Sequence, residues 1–374
     1  MVPEKKYPFL ADLLSPFWKR HRKTLGLVIA AIAATGQARS FAIATTLAGW
    51  VKTRLDSAVN RFYRLLRNSR VDYLQFATGW LRLLARGPER HLLIGVDWTE
   101  WHHGLRMLVA AAVTGKRAVP VFSQAFPKTV LNRSQNSREN TFVRLLAEAL
   151  RGAAVTATLL CDRGFRRVSW LSLLQTLRLG FVVRLMDDVT VELQPGTKVS
   201  LREILLPRGR LTDLGVVPLR ADGKAMVRVV GYWAAGAREP WWLAISDTIP
   251  PSRALQIYDR RMTIEEQFRD TKGRRFGVKL FWTQFRDPDA LSRFTTLLAV
   301  ALLIWTLAGI TAARRDGSLR LRHKTKGPRQ SYVTIGIRVV TLDRPRTSLT
   351  SRAIARLIEP PTLRRLGKLA PGGK

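Results

Sequence analysis

Residues 91–98 read HLLIGVDW and residues 155–162 read VTATLLCD. Each is a short apolar run, the length of a strand, interrupted near its end by an aspartate, Asp97 in one and Asp162 in the other. Between them, residues 105–113 and 118–122 are two further strand-like runs, with Gly115 at the turn that joins them. The first three runs predict an antiparallel meander. Helical spacing over 138–152, the run at 155–161, a helix over about 165–178 and a strand at 180–185 (GFVVRL) follow. A three-strand meander followed by α/β alternation is the layout of a ribonuclease-H-like mixed sheet, and α/β is the fold class expected here.

The segments on either side have different patterns. Residues 1–88, up to Gly87-Pro88, read as helical, with amphipathic stretches near 8–34, 40–67 and 70–86. Within them, residues 40–67 (SFAIATTLAGWVKTRLDSAVNRFYRLLR) have the form of a helix-turn-helix, broken near Gly49. Its second, basic helix, with Arg54, Arg61, Arg64 and Arg67, could enter a major groove. Basic helical hairpins without that role are common, so the pattern alone does not decide. Residues 186–247 carry short strand-like runs at 189–193, 216–220, 225–232 and 241–246, with Asp222-Gly223 as a hairpin turn. They read as a β-rich insertion. Pro250-Pro251 opens a helical stretch to about residue 271, and residues 248–313 complete the core. Residues 314–374 read as a basic tail that contacts DNA.

Composition narrows the function. The chain of 374 residues holds 63 Lys and Arg against 27 Asp and Glu, a net charge of +36, spread along its whole length. A folded chain with that charge repels itself, and a polyanionic partner relieves the repulsion. Ribosomal and chromatin-packing proteins share such charge, but 46% hydrophobic residues and 11 Trp point to a large packed core. Cys161 is the sole cysteine, which excludes an intrachain disulfide and any Cys-based zinc cluster, and fits a reducing cytosol. The five His show no metal-ligand spacing. Residues 25–36 follow a basic cluster and so mimic a signal peptide, but lie far from Met1 and read as a small-residue helix. Residues 294–313 are uncharged and long enough to span a bilayer. Their Thr and Gly content and the basic surroundings favour a buried core helix, with no membrane partner.

A strand-end aspartate is ordinarily a turn former or a cap. A third element adds weight to Asp97 and Asp162. Residues 258–272 read YDRRMTIEEQFRDTK. On one ideal helix with Tyr258 at zero, Arg261 falls at ~300°, Glu265 at ~340° and Lys272 at ~320°, within an arc of roughly 60°. Ile257, Ile264 and Phe268 lie beside that arc at ~240–280° and can anchor the helix, while Glu266 projects at ~80°. A solvated charged face would also carry such residues. The angles nonetheless select Glu265 over Glu266 as the inward carboxylate.

The spacing Tyr258-x2-Arg261-x3-Glu265-x6-Lys272 resembles the motif of the transposases of the bacterial insertion-sequence-four family. The resemblance extends over roughly residues 40–310 and includes Asp97-Trp98-Thr99 and Asp162-Arg163-Gly164-Phe165. It implies a ribonuclease-H-like core with a β-rich insertion between the second Asp and the Glu. It implies that Asp97, Asp162 and Glu265 are catalytic and hold two Mg²⁺ or Mn²⁺ ions, hard cations that prefer carboxylate oxygen. It further implies that Tyr258, Arg261 and Lys272 hold DNA phosphates, and that Trp242 stacks on a flipped base, the alternative being an ordinary packing aromatic. The implied activity is DNA cleavage and strand transfer on double-stranded DNA, at transposon terminal inverted repeats and a target, in the bacterial cytoplasm at the nucleoid. The chain is short past the motif helix, so a dedicated C-terminal dimerisation domain is not expected, whereas a homodimer on DNA is. A structure-selective nuclease and a catalytically inactive DNA-binding derivative are the competing readings.

Overall fold

A computed structural model describes residues 9–17, 19–85, 90–114, 117–220, 224–272, 278, 280–315 and 331–342. The N-terminal part is helical: α1 (Phe9–Leu14), α2 (Lys19–Thr35), α3 (Ser40–Val51), α4 (Leu55–Arg67) and α5 (Tyr73–Leu84). Helix α2 is buried continuously from Leu27 to Ala33. Its small side chains let neighbouring helices approach on all sides, and it ends at Gly36, whose φ of 65° suits the residue after a helix. Asp72 caps α5, accepting from Leu74 N and Gln75 N at 2.8 and 3.1 Å.

The break expected at Gly49 falls instead at Lys52. Gly49 stays inside α3, and Lys52 takes a left-handed conformation (φ 48°) with its N–H on the Ala48 carbonyl. Glycine costs a helix only ~1 kcal/mol, less than the hydrogen bonds that continuing the turn retains. Helix α4 buries Ala58, Phe62, Leu65 and Leu66 and exposes Arg61, Arg64 and Arg67.

Among the described residues, ten strands form one mixed sheet in the order β3-β2-β1-β4-β5-β10-β9-β8-β6-β7. Strands β1 (His91–Glu100), β2 (Leu105–Thr114) and β3 (Arg117–Pro127) are the antiparallel meander. Helix α6 (Lys128–Ala153) leads to β4 (Thr156–Cys161), parallel to β1, and α7 (Val168–Thr176) leads to β5 (Gly180–Leu185), parallel to β4. The strands of the 186–247 stretch extend this same sheet. They are β6 (Thr190–Gln194), β7 (Thr197–Ser200), β8 (Leu211–Arg220), β9 (Lys224–Tyr232) and β10 (Trp241–Ile245), the last antiparallel to β5. The turns at Gly115 and Asp222-Gly223 lie outside the described residues.

The helix expected across 258–272 is two helices, α8 (Pro251–Asp259) and α9 (Met262–Lys272). Between them the backbone tightens, with Arg261 N on Tyr258 O (2.8 Å), Thr263 N on Arg260 O (3.1 Å) and Ile264 N on Arg261 O (3.0 Å). Packing explains the break. Ala254, Ile257 and Tyr258 pack with Leu160, Val182, Leu243 and Ile245 of β4, β5 and β10, while Ile264 lies against Gly95 of β1. One straight rod does not serve both contacts, so Ile257 and Ile264 do not share a single buried stripe.

Helix α10 (Pro288–Arg315) is long and apolar enough to cross a bilayer, and most of it is buried inside the protein. Its threonines are satisfied within the helix: Thr295, Thr296, Thr306 and Thr311 each donate to the carbonyl four residues earlier. It joins the N-terminal helices to the sheet. Phe62 and Phe294 meet edge to face at 5.8 Å, and Trp305 Nε1 donates to Ala33 O at 3.0 Å. The described part of the expected basic tail is not a tail: α11 (Tyr332–Leu342) docks across α10. The apolar residues Val333, Ile335 and Val340 are buried there, which repays the ordering of the chain. The remainder of 314–374, apart from the end of α10, lies outside the described residues.

Gly309 and Gly336 form the crossing point of α10 and α11. A Cβ on Gly309 would stand 1.9 Å from Tyr332 O, and one on Gly336 would stand 1.7 Å from Trp305 O. Gly336→Ala should therefore force the helices apart and cost about 1–3 kcal/mol, the range of core overpacking. Gly49→Ala, with nothing within 4 Å of the new Cβ, should gain up to ~1 kcal/mol. Chemical denaturation of both variants would overturn this packing if Gly336→Ala were neutral.

Candidate active site

The register of β1 and β4 builds the site. Val96 stands opposite Cys161 in the parallel pairing, so Asp97 and Asp162, each one residue further on, leave adjacent strands side by side. Neighbouring strands are ~4.8 Å apart. Asp97 shares a sheet face with Gly95 and Thr99. A Cβ on Gly95 would stand 3.3 Å from Ile264 Cβ, tight enough to push α9 outward slightly, so the glycine favours the close approach of α9 to the strand. That approach carries Glu265, the next residue along, to Asp97.

Arg261 links the two. Its Nη2 donates to Glu265 Oε1 at 2.7 Å and its Nη1 lies 3.5 Å from Asp97 Oδ2. Asp97 Oδ1 accepts the Trp98 backbone N–H at 2.7 Å, and Asp162 Oδ1 accepts from Gly164 N at 2.8 Å. Asp162 thus also caps the short 3-10 turn Arg163–Phe165. Glu266 points elsewhere, pairing with Arg117 of β3, which also lies 3.7 Å from Asp270. The two adjacent glutamates are separated as the helical angles require.

Burial and the neighbouring Asp162 raise the pKa of Asp97 from its ordinary 3.8 to about 6, against the opposing pull of Arg261 and the Trp98 N–H. Tyr258 is 3% exposed, and burial lifts its phenol to about 12. It is therefore a hydrogen-bond donor at neutral pH and not a base. The Arg261 guanidinium lies 5.9 Å from its ring centroid. Lys272 donates to Thr99 Oγ1 and to the Glu100 carbonyl, and burial lowers its pKa to about 8 despite the Glu100 and Asp97 carboxylates. Tyr258, Arg261 and Lys272 thus border the acids in spite of the break in the helix.

Two expectations change. Trp242 pairs with Leu185 and shares the sheet face of Val183, Cys161 and Val96, opposite to Asp97. It is 2% exposed, and its ring lies over Gly231, where a Cβ would come within 2.5 Å. Strand alternation puts Trp241 on the face of Asp97, partly exposed, with its ring edge-on to Tyr258 at 5.2 Å. Arg54 precedes α4 as its N-cap residue and does not lie within the helix, whereas Arg61 is on its exposed side.

The sequence reading missed Glu139 of α6. It is 1% exposed and bound to Trp98, the residue after Asp97, and to Arg167, the N-cap residue of α7 at the far end of the short turn that Asp162 opens. A signal was available: Glu139 is in phase with Phe142, Val143, Leu146 and Leu150 on the apolar stripe.

Carboxylate oxygens suit a divalent cation, and a cation between Asp97 and Asp162 would relieve the repulsion that raises Asp97. Among the described residues, no three acid, His or Cys side chains converge closely enough to hold one ion. Glu265 is held by Arg261, so as a third ligand it would first have to leave that guanidinium.

The family model of the transposase DDE domain matches residues 97–304, more than half of the chain, beginning at Asp97 itself. The chain belongs to this transposase family. No curated protein matches its sequence. In this transposase the matched region runs from the end of β1 into α10, and so takes in Asp97, Asp162 and the α8–α9 segment together.

The raised pKa of Asp97 has a consequence for stability. Between about pH 4 and pH 6 the folded chain holds a proton that the unfolded chain has released. Stability present below that window is lost as pH rises through it, by roughly 1–3 kcal/mol for a mostly buried group. Asp97→Asn should abolish that loss and be the more stable protein near pH 7. Parallel pH profiles of denaturation for the two proteins would sink the assignment.

Proposed function

We propose that this transposase cuts and joins DNA at the ends of its own element, with Asp97, Asp162 and Glu265 as the catalytic carboxylates. The observation that carries the reading is the side-by-side placement of Asp97 and Asp162, with Glu265 tied to Asp97 through Arg261. The Tyr258, Arg261, Glu265 and Lys272 spacing supports placing it in the insertion-sequence-four group, and the order β3-β2-β1-β4-β5 supports a ribonuclease-H-like core. On this reading residues 1–88 are a helical DNA-binding region and 186–247 an insertion into the core. The transposase works as a homodimer on double-stranded DNA, inverted repeats and target alike, in the bacterial cytoplasm, with no membrane partner.

When bound, two Mg²⁺ or Mn²⁺ ions would activate the attacking water or 3′-hydroxyl and stabilise the leaving oxygen. Asp97 and Asp162 would hold them, joined by Glu265 once Arg261 turns to a phosphate. Arg261 offers a planar fork and Lys272 a point charge to the scissile region, and Tyr258 donates a hydrogen bond. Trp241, beside Tyr258 on the acidic face, is the aromatic available to stack on an unpaired base, in place of Trp242. The exposed Arg61 on α4, with Arg54 at its start, would meet the duplex further from the cut.

The test is incubation with linear DNA carrying the sequences that flank the gene, plus Mg²⁺, with the strand breaks mapped. Asp97→Ala, Asp162→Ala and Glu265→Ala should each lower cleavage at least about 100-fold, since metal catalysis is worth several kcal/mol. Trp241→Ala should weaken end binding by ~1–3 kcal/mol in a folded protein. Unchanged cleavage in Asp97→Ala would end the catalytic reading. Nicking of a pre-cut end substrate without any joining would indicate a nuclease.

A further inference from the structure

Glu139 lies in the middle of α6, on the sheet face opposite the acids, and is 1% exposed. A buried carboxylate is costly unless fully bonded, and breaking such a pair is more costly still. Its bonds go to two places. Oε1 accepts from the Trp98 indole Nε1 at 2.8 Å and from Gln135 Nε2 at 3.0 Å. Oε2 takes Arg167 Nη1, and Arg167 is further bound to Asn136 Oδ1 (3.0 Å), Asn136 O (3.2 Å) and Asn140 Oδ1 (2.7 Å) of the same helix.

Trp98 follows Asp97, and its backbone N–H is the one that Asp97 accepts. Arg167 closes the short segment that Asp162 opens, where Phe165 N bonds Asp162 O at 3.1 Å. One carboxylate therefore ties the residue next to Asp97, and the far end of the turn that Asp162 caps, to the same helix turn. A packing role alone would be met by an apolar side chain at this in-phase position, without the desolvation cost.

We infer that Glu139 is a positioning residue that fixes the separation of Asp97 and Asp162 for divalent-cation binding by holding Trp98 and Arg167 from behind the sheet. This rests on the two aspartates being the metal-binding pair. Loss of an outer partner of a metal site typically costs 10–100-fold in metal affinity or activity.

The test uses the full chain without DNA and then with it. Mn²⁺ binding is read by electron paramagnetic resonance titration, and cleavage is read against Mn²⁺ concentration, at a temperature where near-ultraviolet circular dichroism shows each variant folded. Glu139→Gln keeps the volume and an acceptor for Trp98 but loses the charge that holds Arg167. It should weaken Mn²⁺ binding about 10–100-fold and move the Mn²⁺ midpoint of cleavage upward by a similar factor. Trp98→Phe, which keeps an aromatic side chain but removes the indole and its N–H, should shift both the same way and decides the matter if Glu139→Gln does not fold. Binding and midpoints within about twofold of wild type in folded variants would overturn the inference, as would a lower rate at an unshifted midpoint. A wild-type protein that neither binds Mn²⁺ nor cuts would instead overturn the active-site reading itself.

Discussion

The parallel pairing of β1 with β4, in the register that sets Val96 against Cys161, is the constraint on which the site depends. It brings together two aspartates that are far apart along the chain, and a slip of one residue would send one of them to the other face of the sheet. The register is in turn held by burial on both faces. Leu159 and Cys161 look one way and Leu160 the other, all fully buried, so a shifted pairing would have to repack both faces at once. Helix α6 adds a lateral tie through Glu139, which reaches past the end of each strand.

Placing negative charge there has an energetic cost, visible in the raised proton affinity of Asp97. Arg261 partly offsets it, bridging Asp97 and Glu265 from the turn between α8 and α9. The break in the helix serves the same end. A straight helix would seat either Tyr258 against β5 and β10 or Ile264 against Gly95, whereas the tightened turn seats both and leaves the guanidinium between the acids. Gly95 eases the approach of α9, and the closer approach of α11 to α10 requires Gly309 and Gly336. In each case backbone is brought close by leaving out a side chain.

The helical layer is not a separate appendage. The buried residues of α2, α4 and α5 run into those of α10 and the meander as one apolar cluster. The basic outer side of α4 is therefore packed onto the same core as the acids, through Phe62 against Phe294 and Arg293 on the Leu66 carbonyl (2.8 Å). A DNA duplex held by that side would be presented to the sheet at a set distance, by packing and not by a linker.

Local pattern alone carried much of this. Apolar runs of strand length, the meander, the α/β alternation and the separation of Glu265 from Glu266 all follow from periods of 2 and 3.6, which a sequence displays directly. The charge of +36 and the spacing around Glu265 pointed to DNA chemistry by composition and resemblance. Tertiary structure decided whatever depends on which partner an element meets. It placed Trp241 and not Trp242 on the acidic face, because strand parity becomes meaningful only once β10 is paired with β5. It divided 258–272 into two helices, because two packing contacts diverge, and it turned part of a basic tail into α11, because two glycines let it cross α10. It also gave Glu139 its place behind both aspartates: the residue is one charge on an apolar stripe in the sequence, and its partners Trp98 and Arg167 reach it only when the sheet and α6 are assembled.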